Sequence, residues 1–192
     1  MRFFKLALCL SICLFAFAAG GCDDEKETNE PEKKIEDVKE KPKSSEDVKK
    51  EQVKKEEAKE ITIKYYFPDE NGEKLLPVTK KVKILEKDKY KTAINELLKG
   101  ASNKKMITII PKKTKLRSVK VKDGVATVDF SGDIAKYFVG GSTGEELMVA
   151  SIVNTLTEFS EIKSVKILVD GKEVETIAGH MDLTEPISRM EY

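Results

Sequence analysis

Cysteine and histidine are nearly absent from this sequence, and their scarcity excludes several kinds of site. The three cysteines, Cys9, Cys13 and Cys22, all lie near the N-terminus, and the rest of the chain has none. That remainder forms no disulfide and no thiolate metal cluster. A single histidine, His180, is too few for the common zinc sites. We expect no cofactor and no bound metal, and a domain that folds on its hydrophobic core alone.

An excess of charge of one sign is also missing. The chain carries 35 basic and 34 acidic residues, a net charge of +1. Residues 23–60 hold 15 acids and 11 lysines, which gives that segment a charge of −4. The chain beyond residue 60 holds 22 basic and 19 acidic residues, a charge of +3. Neither value suits a nucleic-acid partner, which selects strongly basic surfaces, so we expect none.

Only one long apolar run occurs, and it lies at the N-terminus. Residues 6–19 follow two cations and are largely apolar, but they are fewer than the roughly 20 residues that a helix needs to cross a bilayer. The run ends in Ala19-Gly20-Gly21-Cys22, which are small residues followed at once by a cysteine. This pattern predicts that residues 1–21 are a lipoprotein signal peptide and that Cys22 is lipidated. The alternative is an ordinary secretory signal that ends near a cysteine.

Residues 22–60 combine the predicted lipidated cysteine with a charged linker. No aromatic residue occurs in residues 23–60, and apolar side chains appear only singly. Such a segment cannot bury enough apolar surface to offset the entropy of ordering it. We therefore expect a disordered spacer with a reach of roughly 35 Å as a coil and about 120 Å when extended.

The pattern changes abruptly at Ile61, where the predicted folded domain, residues 61–192, begins. Alternating apolar residues predict a half-buried strand with Ile61, Ile63, Tyr65 and Phe67 on one face. This alternation places two of the three aromatic residues at 65–67 in the core. Turn residues at 68–72 lead to a second predicted strand, whose apolar face consists of Leu76, Val78, Val82 and Ile84.

Two Asp-Gly dipeptides predict tight hairpins further along the chain. Asp123-Gly124 lies between Leu116–Lys122 and Val125–Phe130, and its twist suits a two-residue turn. The resulting register pairs Lys122 with Val125, Val121 with Ala126, Val119 with Val128 and Arg117 with Phe130. Asp170-Gly171 follows a strand over residues 165–169 and leads to a return strand that ends near Val174.

Two helices complete the predicted domain. The first has Asp88 as its N-cap, an apolar stripe between Tyr90 and Leu98, and Gly100 as its left-handed C-terminal residue. The second follows Gly140-Gly141, begins with the capping box Thr143-x-x-Glu146, and runs to about Phe159 as the most buried element.

The order of elements predicts the fold class. Two strands, a helix, a hairpin, a helix and a strand pair are followed by an irregular tail over residues 177–192. Helices interleaved with hairpins predict a single α+β domain, in which two helices pack on a small mixed or antiparallel sheet.

Each catalytic arrangement lacks a necessary residue. His180 lies two residues from Asp182, but beyond Cys22 there is no cysteine nucleophile and no serine in a nucleophile elbow. A structural hydrogen bond is the favoured role for this histidine. The loop Gly140–Gly144 precedes a helix, as an anion site would, but it lacks the lysine and the spacing of a P-loop. The sequence predicts no catalytic residue and no enzymatic activity.

The highest local density of cations falls in the middle of the domain. It consists of Lys104, Lys105, Lys112, Lys113, Lys115 and Arg117. Two interpretations stay open at this point. These side chains form a solvated loop and strand edge, or they make a weak contact with anionic lipid or wall polymer.

Seven short motifs in this order resemble the GerMN domain family, a sporulation and spore germination module. They are Tyr66-Phe67-Pro68, Leu97-Leu98-Lys99-Gly100, Ile110-Pro111 with Thr114 beyond it, the hairpin Ser118–Ser131, Asn154–Phe159, Val165–Lys172 and Gly179–Pro186. The resemblance covers nearly all of residues 61–188. It implies a fold akin to ring-building motifs, and the presence of one domain copy, where the namesake of the family has two, leaves ring formation open.

The resemblance also implies a role in the cell envelope of Gram-positive, often endospore-forming, bacteria. We expect a membrane-anchored lipoprotein on the extracytoplasmic face, with an envelope protein as partner. Its GerMN domain is then a non-enzymatic interaction or assembly module in sporulation or spore germination. The alternative, from a different class, is a lipoprotein that binds a small ligand or the cell wall.

Overall fold

The computed structural model describes residues 57–192. The predicted signal peptide, Cys22 and nearly all of the predicted linker lie outside the described residues. The first strand begins at Lys59, two residues before the alternating apolar pattern starts.

Strands β1 (Lys59–Pro68) and β2 (Leu75–Ile84) form a two-stranded antiparallel sheet in one unbroken register. The predicted turn between them is confirmed. Gly72 has a φ of 69°, and the Asp69 carboxylate accepts hydrogen bonds from two backbone amides of the turn at 2.8 and 3.3 Å. The backbone hydrogen bonds of Asp69 lower the pKa of its carboxyl below the ordinary value, so the turn is fixed by a charged acceptor.

Helix α1 (Lys89–Leu98) follows a single 3-10 turn and buries Ala93, Ile94 and Leu97 on one face, as the predicted stripe requires. Asp88 is at the N-cap position, but its side chain makes no capping hydrogen bond. The 3-10 turn keeps its backbone in the helical region, whereas a capping residue needs an extended backbone. The prediction for Gly100 is confirmed, because its φ of 86° ends the helix in the left-handed region.

Strands β3 (Leu116–Lys122) and β4 (Val125–Phe130) form the predicted antiparallel hairpin. Asp123 and Gly124 have φ angles of 52° and 80°, which is the geometry of a type I′ turn. Three of the four predicted pairs, which are Lys122–Val125, Val121–Ala126 and Val119–Val128, are confirmed.

The fourth predicted pair of the hairpin, Arg117 with Phe130, is wrong. Leu116 opposes Phe130 and Ser118 opposes Asp129, so Arg117 is the extra residue of a β-bulge. The bulge puts Leu116 on the same face as Val119, where it packs against the core. It also leaves the Arg117 side chain to pair with a carboxylate of β4.

Two helices connect β4 to the next strand. The short helix α2 (Asp133–Lys136) was not predicted, and helix α3 (Ser142–Leu156) is the most buried helix, as expected. The predicted capping box is wrong, because α3 begins at Ser142 and Thr143 lies inside it, with Gly141 at the N-cap. The helix also ends three residues before Phe159, whose ring packs edge-on against Tyr90 with centroids 5.0 Å apart.

Strands β5 (Ser164–Val169), β6 (Lys172–Glu173) and β7 (Ile187–Ser188) complete a five-stranded mixed sheet. β5 lies parallel to β4, which requires the long crossover through α2 and α3. β6 and β7 both pair antiparallel with β5, at its end and at its start respectively. The α+β class is confirmed, with the strands divided between two sheets.

One large apolar cluster joins both sheets to α1 and α3. Tyr65 and Phe67 of β1 belong to it, as predicted. The sequence placed only two of the three aromatic residues at 65–67 in the core, but Tyr66 is also only 8% exposed. It lies in a second small cluster with Leu75 and Leu147, because α3 covers the opposite face of β1 at this point.

The tail after β6 is mostly irregular, as predicted, except for β7. Ile177 and Leu183 are its buried anchors. Among residues 57–192, no helix has both the length and the apolar character that crossing a membrane requires.

Candidate functional site

The predicted site residue, Cys22, lies outside the described residues. Within residues 57–192, no three His, Cys, Asp or Glu side chains gather in a group that could hold a metal ion. The chemistry of this part of the chain therefore has to be sought in its carboxylates, its single histidine and its cations.

Glu145, in the first turn of α3, is fully buried. Its Oε1 accepts hydrogen bonds from the amides of Ile177 and Ala178, each at 2.8 Å, and its Oε2 accepts one from the amide of His180 at 2.8 Å. Three amides converging on one carboxylate satisfy a charge that would otherwise be very costly to bury. This side chain fixes the start of the tail to α3, and its oxygens are occupied by the fold.

His180 is exposed and contributes its backbone amide to this arrangement. The neighbouring Asp182 does not orient the imidazole, because its Oδ1 accepts from the amide and the hydroxyl of Thr184 at 2.8 and 2.6 Å. These two hydrogen bonds lower the pKa of Asp182 below the ordinary value, and the bond from the Thr184 hydroxyl has the larger effect. The base-and-orienter pair that the sequence raised is therefore not assembled.

Asp129 of β4 is a second buried carboxylate with a structural role. Its Oδ2 accepts from Arg117 Nε at 2.9 Å, and its Oδ1 accepts from the amide of Gly171 at 2.8 Å. Arg117 also lies 3.6 Å from a carboxylate oxygen of Asp170. This network ties the bulge of β3 to the turn between β5 and β6.

A third polar cluster joins β1, the end of α3 and the tail. Glu158 accepts from Lys64 and, at 2.6 Å, from the Tyr66 hydroxyl, which accepts from Arg189 at 2.9 Å. Burial raises the pKa of Glu158, but the hydrogen bonds from Lys64 and Tyr66 outweigh it and hold the pKa below the ordinary value. Asn154 continues the cluster by exchanging two hydrogen bonds of 2.9 Å with the backbone of Met190.

Glu161 forms a fourth cluster with Lys89, 2.6 Å away, and with the Tyr90 hydroxyl, which donates at 2.7 Å. The hydrogen bond from Lys89, followed by that from Tyr90, lowers the pKa of Glu161 to about 2. The same carboxylate raises the pKa of Lys89. Glu161 lies at the surface, but its carboxylate is already paired with a lysine and a tyrosine of α1.

The glycine-rich loop before α3 is shaped by an aromatic ring. A Cβ at Gly140 would lie 2.8 Å from Phe138 Cζ, so Phe138 folds back over a residue that has no side chain. The first α3 hydrogen bond runs from the Glu145 amide to the Gly141 carbonyl at 3.0 Å. The loop forms a tight turn between α2 and α3.

The predicted basic cluster separates into groups with different surroundings. Arg117 is held by Asp129 and Asp170, whereas the side chains of Lys112, Lys113 and Lys115 are exposed. Lys104 and Lys105 are exposed in an earlier loop. Lys113 meets a residue that the sequence did not single out, because its Nζ lies 4.1 Å from the centre of the Tyr137 ring.

A hollow of about 360 Å³ lies on the five-stranded sheet, lined by residues of β4, β5 and β6 and by the tail just before β7. Lys166 and Glu173 line it with the tail segment 184–186, and they lie 3.4 Å apart. The Lys166 ammonium also donates to the carbonyls of Leu183 and Thr184. The lysine therefore already has partners on the tail and on β6.

Sequence reasoning missed two features of the domain. The first is the role of Glu145, whose partners lie more than thirty residues downstream and leave no local signal. The second is the segment Lys136-Tyr137-Phe138-Val139, where an aromatic and an aliphatic residue stand beside a lysine just before the two glycines. Three consecutive apolar residues do not by themselves show which of them face outward.

Comparison with known proteins agrees with this fold. The family described as "Germane: Sporulation and spore germination" matches residues 64–175, more than half of the chain. The spore germination protein GerM of Bacillus subtilis is 38% identical over 136 residues, which cover 67% of this chain and 36% of GerM. The match therefore spans about a third of the length of that relative.

Two solved structures are similar in sequence and in fold. The tandem GerMN domains of the sporulation protein GerM from Bacillus subtilis are 35% identical with a TM-score of 0.53, over 70% of this chain and 45% of that one. A candidate lipoprotein from Clostridium perfringens is 26% identical with a TM-score of 0.51, over 67% of this chain and 87% of that one. The predicted resemblance is confirmed, and this chain belongs to the sporulation and spore germination family with a GerMN-like domain.

Proposed function

We propose that this protein is a lipid-anchored envelope protein whose GerMN-like domain acts as an assembly or interaction module in sporulation or spore germination. The observation that carries the proposal is the family match over residues 64–175. The relatives are named as a spore germination protein and as a candidate lipoprotein, which supports a setting in the envelope.

The proposed role is non-enzymatic, and the arrangement of the acids supports it. The buried carboxylates of Glu145 and Asp129 are taken up by backbone amides and by an arginine, and Glu158 is bound by a lysine and a tyrosine. A general acid or base needs to reach a substrate proton within hydrogen-bonding distance. These groups instead hold the tail and the sheets in place, which leaves the surface of the domain to carry the function.

The anchor is proposed to be lipid on Cys22. Acyl chains contribute about 0.8 kcal/mol for each buried methylene, so two or three chains are enough for stable attachment. Cys22→Ala should therefore move the protein from the membrane fraction to the soluble fraction of cells. Cys13→Ala is the matched control and should leave the protein on the membrane. A Cys22→Ala protein that stays in the membrane fraction would show that the signal sequence has been misread.

The setting is tested by deleting the gene and scoring sporulation and germination separately. The proposal predicts a defect in at least one process, restored by the wild-type gene and restored poorly by the Cys22→Ala gene. Normal spore yield together with normal germination in the deletion strain would overturn the assembly role.

A small-ligand or wall-binding role is the second candidate, and the hollow beside Lys166 is the observation that favours it. Binding of peptidoglycan fragments, measured by calorimetry, should then weaken in a Lys166→Met protein. The exposed Lys172→Met, on the neighbouring strand, is the matched control. Absence of heat with any fragment removes this candidate.

A further inference from the structure

The loop between α2 and α3 presents apolar side chains to solvent. Val139 is 91% exposed and Tyr137 is 38% exposed, and they are two of the three large apolar side chains that stand out from the described residues. Phe138 between them turns inward and packs against the main core. Because the Phe138 ring is held against the core, its two neighbours Tyr137 and Val139 point outward.

Lysines surround the exposed tyrosine. The Nζ atoms of Lys113 and Lys136 lie 4.1 and 5.3 Å from the centre of the Tyr137 ring. Lys112 is next to Lys113 in the chain. The Lys115 carbonyl accepts from the Ser131 amide and the Lys115 amide donates to the Ser131 hydroxyl, which holds Lys115 near the start of α2. These four lysines, with Tyr137 and Val139, are called the loop surface below.

The loop surface has few internal partners for its charge. Among residues 57–192, no ion pair joins any of its four lysines to a carboxylate within 4 Å, whereas Arg117 nearby is paired with Asp129 and Asp170. The nearest acid along the chain, Asp133 at the start of α2, accepts a hydrogen bond from the Ser131 hydroxyl at 3.2 Å. The surface therefore keeps a local excess of positive charge around an exposed aliphatic tip.

We propose that the loop surface lies on the anionic lipid headgroups of the membrane that carries the protein. The inference rests on the proposed lipid anchor, which holds the domain within the reach of its linker. Lysines attract anionic headgroups, tyrosine settles at the level of the headgroups, and an aliphatic tip enters the acyl boundary. A soluble polyanion or an acidic protein would use the lysines, but it would give Val139 no apolar environment, so the bilayer fits the whole surface best.

The test uses the chain from residue 22 onward with Cys22→Ser, so that no lipid contributes to binding. Partition is measured by sedimentation with vesicles of phosphatidylcholine alone and with vesicles that also contain phosphatidylglycerol. We expect binding to the anionic vesicles only, and weaker binding as the salt concentration rises. Equal partition to both kinds of vesicle, or no binding to either, would overturn the proposal.

Two sets of variants separate the loop surface from net charge. Lys112→Gln, Lys113→Gln and Lys136→Gln together should weaken binding about a hundredfold. The same change in charge at three exposed lysines elsewhere, Lys83, Lys91 and Lys122, should weaken it less than about twofold. Equal losses in the two triple variants would mean that binding follows net charge alone and would overturn the assignment.

Val139→Ser tests the apolar tip at unchanged charge and should weaken vesicle binding by about threefold. If Val139→Ser has no effect and the chain binds soluble polyphosphate as tightly as anionic vesicles, the loop surface binds polyanions in general. That result would overturn the proposal of a bilayer contact. Circular dichroism and urea unfolding confirm that each variant is folded. Because the chain carries no lipid, failure here leaves the anchor untouched, and the anchor stands or falls with the Cys22→Ala fractionation.

Discussion

Glu145 and Val139 lie six residues apart, on either side of the point where α3 begins, and their surroundings are opposite. Glu145 is a charged side chain that is completely buried, with three amides bonded to its carboxylate. Val139 is an apolar side chain that is almost completely exposed. Charged residues are usually exposed and large apolar residues are usually buried, and this short segment contains an exception of each kind.

The contrast assigns different tasks to the two regions. The buried carboxylate fastens the tail to α3, so its contribution is to the stability of the fold. The loop surface adds little to the fold, since Val139 and the four lysines make few contacts that removal would break. Side chains with internal partners explain the fold, and side chains without them are where an external partner is to be sought.

The largest expected effect is from Glu145→Ala. Removing the carboxylate leaves three amides of the tail without their acceptor, and an unsatisfied buried donor costs about 1–3 kcal/mol. The free energy of unfolding, measured with urea, should fall by about 3 kcal/mol or more. Glu145→Gln keeps the shape and should be intermediate, and the exposed Glu175→Ala should stay within about 0.5 kcal/mol of the wild type. A small loss in Glu145→Ala would break the comparison at its buried end.

A pair of tyrosine variants sharpens the same comparison. Tyr66→Phe removes a hydroxyl that bonds both Glu158 and Arg189, and it should lower the free energy of unfolding by about 1 kcal/mol. Tyr137→Phe removes the hydroxyl of a tyrosine on the loop surface and should change stability by less than about 0.5 kcal/mol. Equal effects in the two variants would contradict the division between buried and exposed regions.

The pH dependence of stability tests the cluster around Glu161. Its pKa is lowered from 4.5 to about 2 in the folded domain, so the ionised form is favoured by folding. The stability that it contributes is present above the unfolded pKa, near 4.5, and is lost as the pH falls through the folded pKa, near 2. In Glu161→Gln, the loss of stability between those two values should be smaller than in the wild type, as read from urea midpoints. Parallel curves would contradict this, and Glu175→Gln should follow the wild type.

The smallest effect is expected on the loop surface itself. Val139→Ser, or Lys136→Gln, should change the free energy of unfolding by less than about 0.5 kcal/mol. Urea unfolding of both variants measures this directly. A loss above about 1 kcal/mol would mean that the loop is held by contacts of its own and contributes to the fold.

Local signals in the sequence correctly predicted the two hairpin turns and the buried faces of the two main helices. Asp123-Gly124 and Asp170-Gly171 predicted both tight turns, because few residues accept the positive φ angles of such turns. The apolar stripe of α1 and the dense apolar content of α3 predicted which faces are buried. These features depend on neighbours along the chain.

Features that depend on distant residues were not predictable in the same way. The bulge at Arg117 accompanies an ion pair with Asp129 across the strand pair, which no local pattern shows. The burial of Tyr66 depends on α3, eighty or more residues later. The capping box failed because the close turn around Gly140 lets α3 begin two residues earlier, with Gly141 in place of Thr143 at the N-cap. For the candidate site, the sequence indicated the lysines near residue 113, but only the fold brings Lys113 to Tyr137.

Hydrogen–deuterium exchange, with and without anionic vesicles, tests the separation of tasks most directly. The experiment uses the chain from residue 22 onward with Cys22→Ser. The account predicts slower exchange on vesicles at the amides of residues 137–141, with no change at Ile177, Ala178 and His180, whose amides Glu145 already protects. Protection by vesicles in the tail, with none in the loop, would contradict it.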